Sequence, residues 1–241
     1  MMKKMRSVKD LKIKIFADGA DINEMRKVYE KGIVCGFTTN PYFLRLANVE
    51  DYESFAKDVI TAIPNLPISF EVISDDLESM EKEAQKIASW GENIYVKIPI
   101  TNTKKESTAS LIKKLSYSGI KLNVTAIFTL KQVRTVVDSL SADIESIISV
   151  FSGRIGETGI DPIPIVKKAA KIIEEKPLPK AELLWASTRE VINILEAESC
   201  GCKIITVAND ILDKLDKVGT SLEQASLDTV INFYECAKKS G

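Results

Sequence analysis

The order of the chain predicts a single-domain (β/α)8 barrel with an extra C-terminal helix, and three observations carry that prediction. Eight strand-like apolar runs alternate with segments of helical period. The residues between them are helix starters and helix terminators, placed where such an alternation needs them. The length, 241 residues of which 45% are hydrophobic, is a usual size for one such barrel and can bury a large core.

The strand-like runs lie at 12–17, 33–37, 67–73, 94–98, 121–127, 146–151, 182–186 and 203–207. Segments of helical period lie at 22–30, 51–62, 77–89, 103–116, 130–140, 162–175 and 188–198, followed by 211–217 and 222–239. Gly32, Gly91, Gly119 and Gly201 each fall between a helix and the next strand, where a left-handed terminator is wanted. Thr103 with Glu106, Thr129 with Gln132, Ser187 with Glu190 and Thr220 with Glu223 have the spacing of capping boxes. Asn40-Pro41 supplies an N-cap and then the residue favoured at the first helical position. Regular βα alternation with short connections gives a parallel sheet, and eight units can close it. No GxGxxG follows the first run, which argues against an open doubly wound sheet. Residues 1–241 read as one domain, with a polar N-terminal extension at 1–10 and a helical tail at 220–241. Leu227, Val230, Ile231 and Tyr234 are helically spaced on that tail, which is expected to pack on its own barrel.

Composition narrows the function. Thirty-three basic and 34 acidic residues leave a net charge of −1, which favours small partners over nucleic acid or an acidic membrane surface. No apolar run approaches a membrane span, and the basic residues at 1–6 have no apolar signal core behind them, so a cytoplasmic location is expected. Cys35, Cys200, Cys202 and Cys236 have no CxxC spacing and read as reduced thiols. The chain has no histidine, which removes His-ligated zinc, Ser-His-Asp triads and imidazole acid/base chemistry. An enzyme of this composition moves protons with carboxylates, lysine, tyrosine or bound water.

The run 94–101 has one lysine in its middle, Lys97. By strand alternation it shares a face with Tyr95, while Ile94, Val96 and Ile98 take the other. A buried lysine has two uses. It is neutralised by a carboxylate, or it is kept short of water as an amine able to attack a carbonyl. In such barrels chemistry sits at the carboxyl ends of the strands. There the alternation turns Asp18, Glu71, Lys97, Asn123 with Thr125, and Ser149 with Phe151 one way. For Thr38, Asn40 and Ser187 helix capping is an alternative use. Arg154, after the sixth run, and Arg189, at the start of the 188–198 helix, suit a phosphate through charge and paired donors, or else surface ion pairs.

These residues carry a resemblance. Phe37-Thr38-Thr39-Asn40-Pro41, Val96-Lys97-Ile98-Pro99, Asn123-Val124-Thr125, Phe151-Ser152-Gly153-Arg154-Ile155 and Ala186-Ser187-Thr188-Arg189 resemble the transaldolase family, in its short-chain branch with the fructose-6-phosphate aldolases. The resemblance implies a barrel of the class I aldolase type that works without metal or cofactor. Lys97 would form a Schiff base with a ketose phosphate, and Asp18 would take the C4 hydroxyl proton. Glu71 would act through a water positioned by Thr125. It further implies Asn40, Asn123 and Ser149 on the donor's hydroxyls, Thr38 in support, and Arg154, Ser187 and Arg189 on the phosphate. Transaldolases carry phenylalanine and glutamate where the aldolase branch has tyrosine and glutamine, and this chain has Phe151 and Glu71. Transfer of a dihydroxyacetone unit from fructose 6-phosphate or sedoheptulose 7-phosphate is therefore expected. The alternatives are an aldolase releasing free dihydroxyacetone and a barrel that binds sugar phosphates without turning them over. The same resemblance suggests a homo-oligomer, a pentamer or decamer. Lys105 stands where a glycine is usual, and Trp185 reads as a bulky side chain on the face leading to Ser187 and Arg189, narrowing the phosphate end.

Overall fold

The computed structural model describes residues 10–240, so most of the polar extension at 1–10 lies outside the described residues. Eight parallel strands, β1 (Lys14–Asp18), β2 (Gly36–Thr38), β3 (Ile68–Glu71), β4 (Ile94–Pro99), β5 (Leu122–Ile127), β6 (Ser146–Val150), β7 (Ala181–Trp185) and β8 (Ile204–Ala208), close in sequence order. The seam is the β1–β8 pairing, from Lys14 opposite Ile204 to Asp18 opposite Ala208. Its register sets Asp18 beside Thr38, Glu71 beside Lys97, and Lys97 beside Asn123. The polar residues at the strand ends are therefore neighbours across the ladder.

Strand alternation divides the apolar residues into two layers. Ile15, Ala17, Phe70, Ile94, Val96, Ile98, Val124 and Ile148 belong to the core between sheet and helices. Phe16, Ile147, Leu184, Ala186 and Ile204 fill the barrel interior, with Tyr95 and Phe151 packed against them. Lys97 thus stands above an apolar plug on the inner face, as its alternation with Tyr95 predicts.

The helical layer consists of α1 (Ile22–Glu30), α2 (Pro41–Leu46), α3 (Tyr52–Ala62), α4 (Leu77–Ala88), α5 (Ala109–Tyr117), α6 (Leu130–Val137), α7 (Ser152–Glu157), α8 (Pro162–Glu174), α9 (Ile192–Ser199) and α10 (Asn209–Leu212). Asp21, Asp51, Asp76 and Asp161 begin four of these by accepting first-turn N–H groups. Asn40 caps α2 with Pro41 behind it, and Thr129 with Gln132 forms a complete capping box on α6.

Three other expected boxes are not formed. Thr103 N–H and hydroxyl turn to Asp75, and Asn102 Oδ1 takes the N–H groups of Lys104 and Glu106, so α5 starts at Ala109 rather than 103. Asn193 Oδ1 takes the N–H groups of Arg189 and Glu190, so α9 starts at Ile192 and Arg189 lies in the loop before it. Ser221, not Thr220, bonds the first turn of the last helix, through Gln224 N–H. Gly32, Gly119 and Gly201 have the left-handed φ expected of terminators, whereas Gly91 does not.

The last helix, α11 (Leu222–Ser240), departs from the expectation that the tail packs on its own barrel. Every side chain from 222 to 239 is exposed, including Leu227, Val230, Ile231, Phe233 and Tyr234. Ile211, Leu212 and Leu215, before this helix in the chain, are buried, and Gly219 between them and α11 has a φ of 95°. Among the described residues no helix is long and apolar enough to cross a membrane.

Candidate active site

A cavity of about 540 Å³ opens at the carboxyl ends of the strands. Lys97, Asp18, Glu71, Thr125, Thr38, Asn40, Asn123, Ser149, Phe151, Arg154, Ser187 and Arg189 all line it. A cavity of this size takes a small molecule and keeps most of it from water.

Lys97 is 6% exposed. Its Nζ donates to the carbonyl of Thr39 at 2.9 Å and stands 3.1 Å from Glu71 Oε2. Both anchors are themselves held. The Thr39 hydroxyl donates to the Ser69 carbonyl at 3.0 Å, and the Tyr52 hydroxyl donates to the Glu71 carbonyl at the same distance. Burial pushes the Tyr52 phenol far above its ordinary range, so it remains a donor.

Asp18 accepts from Thr38 Oγ1 at 2.9 Å and from Asn40 Nδ2 at 3.3 Å to each oxygen. Thr38 Oγ1 also lies 2.6 Å from Thr206 Oγ1. A hydroxyl has one proton, so while Thr38 donates to Asp18, Thr206 donates to Thr38. Burial raises the Asp18 carboxyl above its ordinary value; the charge of Lys97 and the bonds from Thr38 and Asn40 oppose that rise, and Glu71 adds to it. Asn40 serves two ends at once, since its Oδ1 accepts the Phe43 N–H that begins α2. Capping and site are not alternatives there.

On the next strands Asn123 Nδ2 donates to Ser69 Oγ at 3.0 Å, and Ser149 Oγ donates to Asn123 Oδ1 at 2.6 Å. Thr125 Oγ1 is buried with no hydrogen-bond partner among the described residues, which leaves it available to an oxygen in the cavity. The register of β5 on β6 shifts after Val124, and Ala126 at φ 57° carries the bulge.

The two arginines differ in their surroundings. Arg189 Nη2 is paired with Glu157 Oε1 at 2.7 Å, both side chains about half exposed. Arg154 lies on α7, a helix absent from the expected elements, with its guanidinium carbon 5.5 Å from the centre of the Phe151 ring. Gly153 lets α7 approach the end of β7: a Cβ there would lie 1.6 Å from the Ser187 carbonyl oxygen.

Trp185 corrects one expectation. It is buried in the core between sheet and helices, away from the mouth, and the inner face of β7 is carried by Leu184 and Ala186. Alternation alone would then send Ser187 outward, but its φ of 62° breaks the alternation and returns it to the cavity. The end of the cavity beside Ser187 and Arg189 is not narrowed by an indole. Thr206, Thr188 and Tyr42 line the cavity without having been singled out. Thr206 had a signal, a hydroxyl two residues beyond Ile204 in an apolar strand; Thr188, which donates to the Thr206 carbonyl at 2.7 Å, had only its place in the motif between Ser187 and Arg189.

Comparison with known proteins shows the family. Residues 15–240 match the family described as Transaldolase/Fructose-6-phosphate aldolase. A protein named probable transaldolase from Caldicellulosiruptor saccharolyticus is 33% identical over 205 residues, covering 85% of this chain and 90% of its own. One of the same name from Clostridium botulinum is 33% identical over 227 residues, 94% of this chain and 100% of its own. Among solved structures, dihydrodipicolinate synthase from Rhodopseudomonas palustris superposes with a TM-score of 0.58 at 13% identity, over 97% of this chain and 81% of that one, a likeness of fold alone. The chain belongs to the transaldolase/fructose-6-phosphate aldolase family.

Proposed function

We propose that the protein is a cytosolic transaldolase, moving a dihydroxyacetone unit from a ketose phosphate such as fructose 6-phosphate or sedoheptulose 7-phosphate to an aldose phosphate. The observation that carries this reading is an enclosed amine, Lys97 Nζ, 3.1 Å from one carboxylate in a cavity that a second carboxylate also lines. Glu71 takes the ammonium proton and the amine adds to the C2 carbonyl. The carbinolamine then loses water, with Glu71 supplying the proton through a water held by Thr125, and an iminium remains. Asp18 takes the C4 hydroxyl proton, the C3–C4 bond breaks, and its electrons move into the enamine. The aldose phosphate departs. Attack of the enamine C3 on the acceptor's aldehyde forms the new bond, Asp18 returns its proton to the new alkoxide, and water releases the ketose from Lys97. Asn40, Asn123 and Ser149 hold the hydroxyls of the donor, Thr38 steadies Asp18, and Arg154, Ser187 and Arg189 hold the phosphate.

Phe151 favours transfer over cleavage. It has no hydroxyl with which to bring a proton to the enamine, so the three-carbon unit persists until an acceptor arrives. Borohydride added with fructose 6-phosphate is expected to leave an irreversible mass increase on the Lys97 peptide, absent in Lys97→Met. An unmodified peptide would reduce the protein to a sugar-phosphate binder. Free dihydroxyacetone formed as fast without an acceptor aldose phosphate as with one would make it an aldolase.

The exposed apolar side chains of α11 support a homo-oligomer with α11 at its contacts, and the family resemblance suggests a pentamer or decamer. Light scattering after deletion of residues 220–241 is expected to give fewer subunits per particle; an unchanged subunit number would place the contacts elsewhere.

A further inference from the structure

Arg154 has no carboxylate partner among the described residues, in contrast to Arg189, which is tied to Glu157. What stands against Arg154 is a ring. Its guanidinium lies 5.5 Å from the centre of Phe151, and Phe151 in turn is stacked on Phe128, with centroids 5.9 Å apart and planes inclined by 25°. Phe128 directly follows β5, and its position is set by the start of α6: Gln132 Oε1 accepts the N–H of Phe128 at 2.9 Å and that of Thr129 at 2.9 Å. A planar guanidinium is attracted to the negative face of a ring and keeps its edge donors free while it lies there. A carboxylate partner would instead use those donors and offset the charge.

From this stack we infer that Phe128 is a positioning residue of the phosphate end. Through Phe151 it holds Arg154 with its donors unspent at the rim of the cavity, and Arg154 is the principal phosphate ligand, ahead of Arg189. The inference deepens the proposed function and rests on it. Phe128 does not line the cavity and touches no substrate in this arrangement. It joins the capping box of α6, built from β5, to a charge carried by α7 after β6. A slack ring would let the arginine swing to solvent, so the effect falls on binding of the phosphate and spares the chemistry at Lys97.

The test compares Phe128→Leu, which removes the ring, with Phe128→Tyr, which keeps it. Phe128→Leu is expected to raise both the KM for fructose 6-phosphate and the inhibition constant of inorganic phosphate by about two- to fivefold, the range of one exposed cation–ring contact. Phe128→Tyr restores both, and borohydride trapping of unphosphorylated dihydroxyacetone on Lys97 proceeds at the wild-type rate in either variant. A merely structural role would move trapping and phosphate inhibition together, and that result, or unchanged constants in Phe128→Leu, overturns the inference. The wild-type protein gives a reading that needs no variant: the side-chain NH resonances of Arg154 are expected to be ring-current shifted, and random-coil values refute the stack even if Phe128→Leu does not fold. If Lys97 traps no sugar while phosphate binding still depends on Phe128, the transaldolase reading fails and the stack stands. Trapping without that dependence sinks the stack alone.

Discussion

At the amino end of the barrel Lys14 pairs with Glu182 at 2.8 Å and Lys121 with Glu145 at 2.6 Å; at the carboxyl end Lys97 pairs with Glu71 at 3.1 Å. The chemical groups are the same, but the side chains of the first two pairs are between 32% and 50% exposed, and those of the third 8% and 15%. Water solvates both partners of an exposed pair whether or not they meet, so such a pair is worth ~0–1 kcal/mol. The enclosed pair has lost that water, and neither partner can be removed without stranding the other. The backbone shows the same contrast. Left-handed φ at the amino-end turns after α1, α5 and α9 falls on Gly32, Gly119 and Gly201, and in the loop after β4, the bulge of β5 and the loop after β7 it falls on Lys105, Ala126 and Ser187. Glycine adopts that conformation without strain and the others do not. The carboxyl end also has a solvated pair, Arg189 with Glu157, and a left-handed glycine, Gly159, but the desolvated pair and the strained Lys105, Ala126 and Ser187 lie there, which is the division of labour between stability and chemistry in a barrel of this kind.

The largest effect that would sharpen the contrast comes from neutralising one carboxylate at each end. Glu71→Gln is expected to lower kcat by about 10²–10⁴-fold, the range of a positioned acid/base. It should also destabilise the fold by about 3 kcal/mol, because Lys97 loses the carboxylate 3.1 Å away, out of reach of bulk water, and keeps only the charge of Asp18, which lies beyond ion-pair distance. Glu182→Gln should leave kcat within about twofold and stability within ~1 kcal/mol, since Lys14 is 48% exposed and can hydrate. Steady-state kinetics and urea melts on the two variants check this, and equal losses at both ends would erase the distinction.

A smaller effect concerns pH. The Asp18 carboxyl is raised above its ordinary 3.8, by burial first, so the folded protein holds that proton more tightly than the unfolded chain does. The stability contributed by the proton is complete below pH 3.8 and is lost as pH climbs through the raised value. Asp18→Asn removes this loss. Its Tm should exceed that of wild type at neutral pH, and the margin should shrink steadily as pH falls towards 3.8. Catalysis goes the other way, because the proposed base works only when ionised: kcat in wild type should fall on acidification from a pH above 3.8, and Asp18→Asn should lose about 10²-fold or more. Calorimetry across pH reads the first effect and a pH–rate profile the second. A margin that grew on acidification would mean that the hydrogen bonds from Thr38 and Asn40 outweigh burial.

What the sequence disclosed follows the same line. Strand alternation places Asp18, Glu71, Lys97, Asn123, Thr125 and Ser149 correctly, because sheet closure forces one face of every strand inward. It fails at Ser187, where the chain leaves the strand with φ 62° and the count of alternation is lost; Trp185 was assigned to the wrong face for that reason. Capping patterns are legible where nothing competes, as at Thr129, and misleading in the loops after β4 and β7, where Asp75, Asn102 and Asn193 take the N–H groups instead. The helices α2 and α7, at six residues each, are too short to show a period, and the expected segment 211–217 is divided between α10 and a 3-10 turn at Leu215–Lys217. Thr206 was missed because a lone hydroxyl in an apolar strand carries no sign of its partner, and Thr38 lies on a distant segment.

The smallest expected effect tests whether the non-glycine turns are strained. Lys105 and Gly119 both have positive φ, 65° and 92°, and a Cβ on Gly119 would meet no atom within 4 Å, so contacts do not separate them. Backbone conformation does. In Gly119→Ala a Cβ enters the left-handed region at a relaxed turn, and the protein should lose about 1 kcal/mol. Lys105→Gly relieves a penalty of about 1 kcal/mol, partly offset by about 0.5–1 kcal/mol from the greater freedom of glycine in the unfolded chain, for a net gain of at most about 0.5 kcal/mol. The signs are opposite for similar dihedrals, and urea melts resolve them. If Lys105→Gly destabilised the protein as much as Gly119→Ala, the loop after β4 would owe its shape to the lysine side chain, since the backbone bond from Lys105 N–H to the Asn102 carbonyl, at 3.1 Å, survives the substitution.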